Sequence, residues 1–427
     1  MTTDDSSLDA PALPSGTRKR DTFFSLWMPA GASGLANGMI APVLPALARS
    51  FDVSIGYASL VFVLQMAGSA VGTLPTGYMI DKFGRRSVLF LGPLITAGAA
   101  FMTAFAGSFN EVLFWRFVAG WGQQMWALSR LTVIADGSNS QRGRQVTSML
   151  SAQRTGTLLG PAIGGFVAVA WGLEWPFVIQ AVVLLVGVLP SVLVIQDSPR
   201  RQSATGEPEA KLTWRTFLVS PIPAVFSAQF LVNIARGGVE NGGVLFLYGA
   251  YAYDAGPASL GVLSSVMAGA GIPIALVSGY VMDTHGRKWA IVPGTVVLAA
   301  ALLFMAATSF ASLPYSGFIA AFVLTHIGVS LMLGSWQTVG TDVAPPMGRG
   351  TFFGVSRLVS HTGRLSSPGS FALLSEFATF GAAFTFLAMA SIASGGLVFF
   401  FIKETLGLRT QEPTASISIA KPHDRPS

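Results

Sequence analysis

Six arginines, Arg116, Arg130, Arg154, Arg236, Arg357 and Arg364, fall deep inside apolar stretches of this 427-residue sequence, against a single carboxylate, Glu240. Their spacing groups them. Arg116, Gln123 and Arg130 recur at i, i+7 and i+14, nearly one stripe of a helix, and Arg357, His361 and Arg364 at i, i+4 and i+7 share one face. Gln153 with Arg154, and Asn233 and Arg236 with Glu240 and Asn241, form two further groups. A guanidinium hardly ever deprotonates, so such an excess must be neutralised by backbone carbonyls, water or a bound anion. Its planar fork suits a carboxylate, phosphate or sulfonate. The expected lining of a positively charged cavity is therefore Arg116, Gln123, Arg154, Asn233, Arg236, Asn241, Arg357, His361 and Arg364.

Glu240 is the deep residue able to carry a proton reversibly, and it heads the candidates for proton coupling, with Arg116 beside it. Competing readings exist for each. Glu240 can form a permanent pair with Arg236 at i−4, His361 is a rival titratable group, and Arg116 can snorkel toward Glu111 as Arg130 can pair with Asp136. His326, alone on its stretch, reads as a packing residue. Other chemistries are excluded by composition: there is no cysteine, and the four histidines are too scattered to make a zinc site. No phosphate-binding glycine loop with lysine and no nucleophile–base set occurs, so neither an enzyme nor an ATP-driven pump is expected. No metal or cofactor is expected either; the proton gradient is left as the energy source.

The elements that must position these residues are set by composition. The chain is 51% hydrophobic and 11% charged, with a mean hydropathy of +0.58, whereas a soluble domain carries about a quarter of its residues as charges. Apolar runs long enough to cross some 30 Å of hydrocarbon as helices fall near 23–47, 56–80, 87–107, 111–135, 144–170, 174–195, 220–249, 257–282, 289–309, 313–341, 350–375 and 378–402. The expected fold is thus an all-α membrane protein of twelve transmembrane helices. Basic residues gather in alternate connections, with Lys82, Arg85 and Arg86, Arg142 and Arg144, Arg200 and Arg201, Arg287 and Lys288, and Arg349; the other connections hold Asp52, Glu111, Glu174, Asp254 and Glu376 beside Arg49. The positive-inside rule puts the basic side and both termini in the cytoplasm. The net charge of +6 is therefore spread over short loops and forms no nucleic-acid stripe. Residues 1–21, charged and without an apolar core, read as a disordered cytoplasmic tail, not a signal peptide. The polar stretch 196–216 reads as a linker between a bundle at 22–195 and one at 217–405, with a second cytoplasmic tail at 406–427.

The two bundles repeat. Gly77-Tyr78-Met79-Ile80-Asp81-Lys82-Phe83-Gly84-Arg85-Arg86 matches Gly279-Tyr280-Val281-Met282-Asp283-Thr284-His285-Gly286-Arg287-Lys288, and Asp136, Arg142-Gly143 and Gly160-Pro161 match Asp342, Arg349-Gly350 and Ser367-Pro368 at a nearly constant offset. A six-helix unit duplicated in parallel follows, with Arg154 and His361 at pseudo-equivalent positions; parallel halves around a midplane site are a transporter architecture.

With these motifs in view, the chain resembles the major facilitator superfamily, specifically its twelve-helix drug:proton antiporter branch. The segment Gly77 to Arg86 resembles the superfamily loop signature, departing at Met79 and Lys82. Arg116-Phe117-Val118-Ala119-Gly120 resembles the antiporter motif of helix 4, with Ala119 where the family has Gln. Gly156, Gly160, Pro161, Gly164 and Gly165 resemble the glycine-proline motif of helix 5, where bare glycines allow close helix packing, and Pro42-Val43-Leu44-Pro45 resembles the end of helix 1. The resemblance implies a major facilitator fold of two pseudo-symmetric six-helix bundles rocking around a central site by alternating access. It also implies a monomer, expected in the cell's inner (plasma) membrane. As gating residues it implies Asp81, Lys82, Arg85, Arg86, Asp136, Arg142, Asp283, Arg287, Lys288, Asp342 and Arg349. Together with the arginine-rich faces it leads us to expect proton-coupled efflux of a small organic anion or amphipathic compound. The alternatives are a broad drug:proton antiporter, a proton-coupled importer of an organic acid, and a non-transporting membrane sensor on the same fold.

Overall fold

The computed structural model describes residues 27–135, 142–194, 221–240, 242–345 and 349–404. The stretches 1–21, 196–216 and 406–427 lie outside the described residues, as do Asp136 and Asn241 and the side chains of Asp81, Arg85, Arg142 and Arg349. The described residues form helices and no strand. The first span is α1 (Met28–Ile40) followed by α2 (Leu44–Ser50). The next five are α3 (Ile55–Phe83), α4 (Arg85–Ala104), α5 (Phe109–Ala135), α6 (Arg142–Trp171) and α7 (Trp175–Val194). The seventh is α8 (Ile222–Gly237) followed by α9 (Gly243–Tyr253), and α10 (Pro257–Thr284) and α11 (Lys288–Phe310) come after it. The tenth is α12 (Tyr315–Leu331) followed by α13 (Ser335–Val343), and α14 (Arg349–Phe377) and α15 (Phe380–Phe401) complete twelve spans. Seven of these spans are long and apolar enough to cross a membrane on composition alone. α5, α6 and α14 fall short because they carry the deep arginines and glutamines, which cost hydropathy and mark a protein-lined interior.

The two halves repeat their packing. Within the first, α1 packs on α6 and α7, α3 on α5, and α4 on α5 and α7; within the second, α8 packs on α14 and α15, α10 on α12, and α11 on α12 and α15. These are equivalent pairs of a six-helix unit, so the two bundles are pseudo-symmetric. They meet along α6 with α10 and along α3 with α14.

Three spans expected as single helices, near 23–47, 220–249 and 313–341, are interrupted. The first breaks around Pro42, whose missing N–H removes a helical hydrogen bond. The seventh breaks over Gly238–Gly242, where Gly242 takes φ +78°, and the tenth breaks at Gly334, φ +84°. Left-handed backbone of this kind is cheap for glycine and ends a helix. Breaks one and seven fall in equivalent spans of the internal repeat, and the second of them holds Glu240.

Both chain ends of the helical body, Met28 and Phe401, lie on one side, the near side; Ser50 and Tyr253 lie on the far side. Polar contacts joining the halves gather toward the far side. Arg49 at the end of α2 pairs with Asp254 after α9 at 2.5 Å and donates to the Ala250 carbonyl at 3.0 Å. The Tyr251 hydroxyl donates to the Val53 carbonyl at 3.0 Å, and the Gly56 N–H to Glu376 at 3.1 Å. Deeper in, Gly261 lies against the Pro161 carbonyl and Gly165 against Pro257, so α6 and α10 touch backbone to backbone. On the near side Leu74 and Tyr78 of α3 and Leu276 and Tyr280 of α10 are exposed. The molecule is closed at its far side. An aromatic cluster around Tyr248, with Phe318, Phe380 and Phe384 within 6 Å of its ring, fills the second half there, and the buried hydroxyl is satisfied by Thr308 at 3.0 Å.

Candidate functional site

At the glycine-flanked break between α8 and α9 the Glu240 N–H still donates to the Arg236 carbonyl at 2.8 Å, and the chain then turns, with the Gly242 N–H on the Val239 carbonyl at 3.0 Å. One carboxylate oxygen of Glu240 accepts from Arg236 Nη2 at 3.4 Å on its own span, and the other pairs with Arg364 Nη2 of α14 at 3.2 Å. Arg364 Nε also donates to Asn233 Oδ1 at 3.2 Å, and Ser367 Oγ accepts the Gly238 N–H at 2.8 Å. α14 can come this close because Gly237 lies against the Arg364 backbone and Gly363 against the Phe230 carbonyl, where a Cβ would collide. One turn nearer the chain ends, Gln229 bridges Ser360 at 2.8 Å and Ser356 at 3.0 Å, continuing the polar seam.

The site is not sealed. Glu240 keeps 23% and Arg364 40% of its side-chain surface, whereas Arg236 is buried with its Nε unpartnered among the described residues. Arg154, exposed on α6 of the other half, lies near enough for its charge to act on Glu240. His361 and Arg357, also exposed, continue the Arg364 face of α14 toward the near side, and the charges acting on His361 are those of Arg364 and Arg357. Of the expected cavity residues, then, Asn233, Arg236 and Arg364 share one bonded cluster with Glu240, the expected proton-coupling residue, and Arg154 acts on it from across the interface.

The first half builds a different environment. Gln123 accepts from Gln65 at 3.1 Å and donates to Asn37 at 2.8 Å, and Gln180 donates to the same Asn37 oxygen at 3.4 Å. Of these amides only Gln123 carried a spacing signal in the sequence. Arg116 does not snorkel: it is 1% exposed, its guanidinium lies over Phe177 at 5.9 Å, and Glu111 instead accepts from the Gly107 N–H and Ser108 hydroxyl. Arg130 is buried over the Trp126 ring at 3.6 Å. His326 stacks on Phe322 at 4.3 Å, with its Nδ1 3.0 Å from the Phe322 carbonyl oxygen.

The expected gating residues on the near side separate. In the second half Arg287 pairs with Asp342 at 3.2 Å and Asp283 at 3.4 Å, while the Arg287 and Lys288 N–H groups donate to Glu404. That cluster staples the α10–α11 turn to α13 and to the chain leaving α15. In the first half Lys82 lies over the Tyr78 and Phe83 rings at 5.6 and 5.3 Å, and Arg86 is half-buried. Gly156, Gly160 and Gly164 press α6 against the α1 backbone at Gly34, Gly38 and Met39, and Gly165 presses it against α10. Pro161 lacks an N–H, and beside it the Ala162 N–H donates to Ser265 Oγ of the other half at 3.1 Å.

Twelve spans in two like bundles, with charge converging from both where they meet, define a membrane transporter. The model of the Major Facilitator Superfamily matches residues 26–253 and again 225–421, one match on each half, and the chain belongs to that family. Over 189 residues the chain is 28% identical to the "Putative multidrug resistance protein MdtD" of Escherichia coli (strain K12), an alignment that takes in 43% of this chain and 39% of that protein's length. Among solved structures, the D-xylose-proton symporter superposes with a TM-score of 0.73 at 15% identity, covering 90% of this chain and 98% of that one. The inward-open xylose transporter XylE of E. coli gives 0.70 at 14%, covering 92% and 98%. A bacterial homologue of the human lysosomal transporter Spinster, inward-facing, gives 0.67 at 16%, covering 93% and 98%. At such identities these likenesses establish the fold.

Proposed function

We propose that this chain is a secondary active transporter that moves a small organic anion, or an amphipathic compound with an anionic head, by alternating access at the expense of the proton gradient. One observation carries the reading. Glu240 is bridged between Arg236 and Arg364 at mid-span, part exposed, with Arg154 of the opposite half acting on the same point. Guanidiniums outnumber the carboxylate they surround, and an added anion relieves that imbalance. Because the charges come from both halves, rocking of one bundle against the other remakes the site with each half-cycle. One chain supplies both halves of the site, which supports a monomeric unit. The basic near-side connections support placing that side and both termini in the cytoplasm. The glycine-proline motif of α6 and the likeness to a multidrug resistance protein support export.

The test is flux in proteoliposomes under an imposed pH gradient with a pH dye inside. The probes are benzoate, succinate and benzenesulfonate against tetraphenylphosphonium and ethidium. Anion-dependent proton movement that falls at least about tenfold in Arg364→Ala is expected, a loss of about 1.4 kcal/mol from removing one of the two guanidiniums that clamp the anion. Movement driven by the cations alone means the arginines are scaffold, and saturable binding without flux means a sensor.

A further inference from the structure

The seat between Arg236 and Arg364 is already filled, and by a group of the chemistry the site would accept. Both carboxylate oxygens of Glu240 are engaged, one by each arginine. A ligand carboxylate or sulfonate seeking the same two forks must meet the Glu240 charge at contact distance in a medium of low dielectric, where like charges strongly disfavour joint ionisation. We propose that Glu240 is the resident anion of the binding site: the ligand's anionic group takes its place between Arg236 and Arg364, and Glu240 takes up one proton as it withdraws.

The charge balances. Before exchange the clamp holds one carboxylate; afterwards it holds one ligand anion, with a neutral carboxylic acid beside it and one proton removed from solution. The backbone permits the withdrawal, because Glu240 stands in a turn outside both helices, between Gly237-Gly238 and Gly242-Gly243. The charged groups facing it are Arg236 on α8, Arg364 with His361 and Arg357 farther along the face of α14, and Arg154 on α6. α15 brings no ionisable group; α12 brings His326, stacked on Phe322, α13 brings Asp342, paired with Arg287, and α2 brings Arg49, paired with Asp254; the tyrosines of α9 lie toward the far side, with Tyr248 held by Thr308. Glu240 is therefore the carboxylate whose proton can offset the incoming charge.

The consequence is a sign. A cation that binds by pairing with Glu240 competes with the proton, which gives exchange. An anion that replaces Glu240 requires the proton, so the two bind and cross together, and net direction follows the two gradients. This inference rests on the anionic reading above, and it replaces both the proton exchange and the export supported by the antiporter-like motif of α6 with co-transport, which an inward proton gradient drives inward.

The experiment is proton uptake by the purified full-length protein in weakly buffered detergent solution, with a pH dye, on adding benzoate or benzenesulfonate at a pH where neither probe changes its own protonation. Binding of the same probes is measured by calorimetry. Uptake approaching one proton per anion bound is expected, with affinity strengthening about tenfold per pH unit lowered while Glu240 is ionised in the free protein. Glu240→Gln is expected to bind the anion at least as tightly, without pH dependence and without proton uptake. Binding with no proton movement, as when the anion merely joins Arg154, or with proton release, overturns the inference and leaves the anionic reading standing. Failure of every anion to bind overturns that reading and this one with it. The sign in the unmutated protein decides the matter even if Glu240→Gln does not fold.

Discussion

Arg116 and Glu240 show two ways of keeping a charge inside a membrane protein. Glu240 has two partners, and its cost is offset by ion pairs. Arg116 is 1% exposed, and its Nε and Nη2 find no acceptor among the described residues; what it has is the face of Phe177. A buried donor left unsatisfied costs about 1–3 kcal/mol each, so this position is tuned for something other than stability. Arg116→Met, which keeps the apolar stem and removes the charge, is expected to stabilise the protein by about 1–3 kcal/mol, read as a higher melting temperature in detergent, while transport falls. A lower melting temperature would show that the guanidinium is satisfied and structural. At this scale the sequence was readable wherever charge or spacing spoke. Arg236, Glu240 and Arg364 stood out because ionised groups are rare at such depth, and Gln123 because it sat on an arginine stripe. Asn37, Gln65 and Gln180 did not stand out: a single neutral amide in an apolar run has no periodicity, and only the fold shows that Gln65 and Asn37 bond Gln123 and that Gln180 joins them through Asn37.

Helices were legible as apolar runs, since hydrocarbon thickness fixes their length and hydrogen-bond satisfaction fixes their type. Their breaks were not, because glycine is common in membrane helices and its positive φ at Gly242 and Gly334 is a property of the packed chain. The glycines of α6 were more informative, since their four-residue spacing leaves one face bare. The structure divides them by neighbour: Gly164 sits on the Met39 backbone of α1, whereas Gly98 of α4 has open space where a side chain would go. A branched side chain at Gly164 must push α1 and α6 apart, and overpacking of this kind costs about 1–3 kcal/mol. Gly164→Leu is therefore expected to lower the yield of monodisperse protein and its melting temperature, with Gly98→Leu unchanged in both. Equal loss in the two variants would mean that glycine serves helix flexibility in general and not the α1–α6 contact.

For the whole molecule, the question is what holds the far side shut while the near side opens. The contacts there come from both halves: Arg49 with Asp254, Tyr251 with Val53, and Gly56 with Glu376. They must all break for the site to open outward. Arg49 and Asp254 keep 42% and 82% of their side-chain surface, and an exposed pair of this sort contributes about 0.2–1 kcal/mol. Arg49→Ala alone should thus shift the balance of open and closed far sides by only about 1.5- to 5-fold, too little to stop transport; alternation needs closures that are weak singly and sufficient together. A covalent tie is the decisive test, and the sequence suits it, having no cysteine to confuse the labelling. With Arg49→Cys and Asp254→Cys combined and joined by a short bis-methanethiosulfonate spacer, flux in proteoliposomes is expected to cease and to return when a reductant cleaves the tie. Ligand binding from the near side should survive the cross-link, because the tie touches neither the near side nor the Glu240–Arg364 cluster. Full flux through the tied protein would mean that the ends of α2 and α9 never part, and that the two halves exchange access by some motion other than rocking about the site they share.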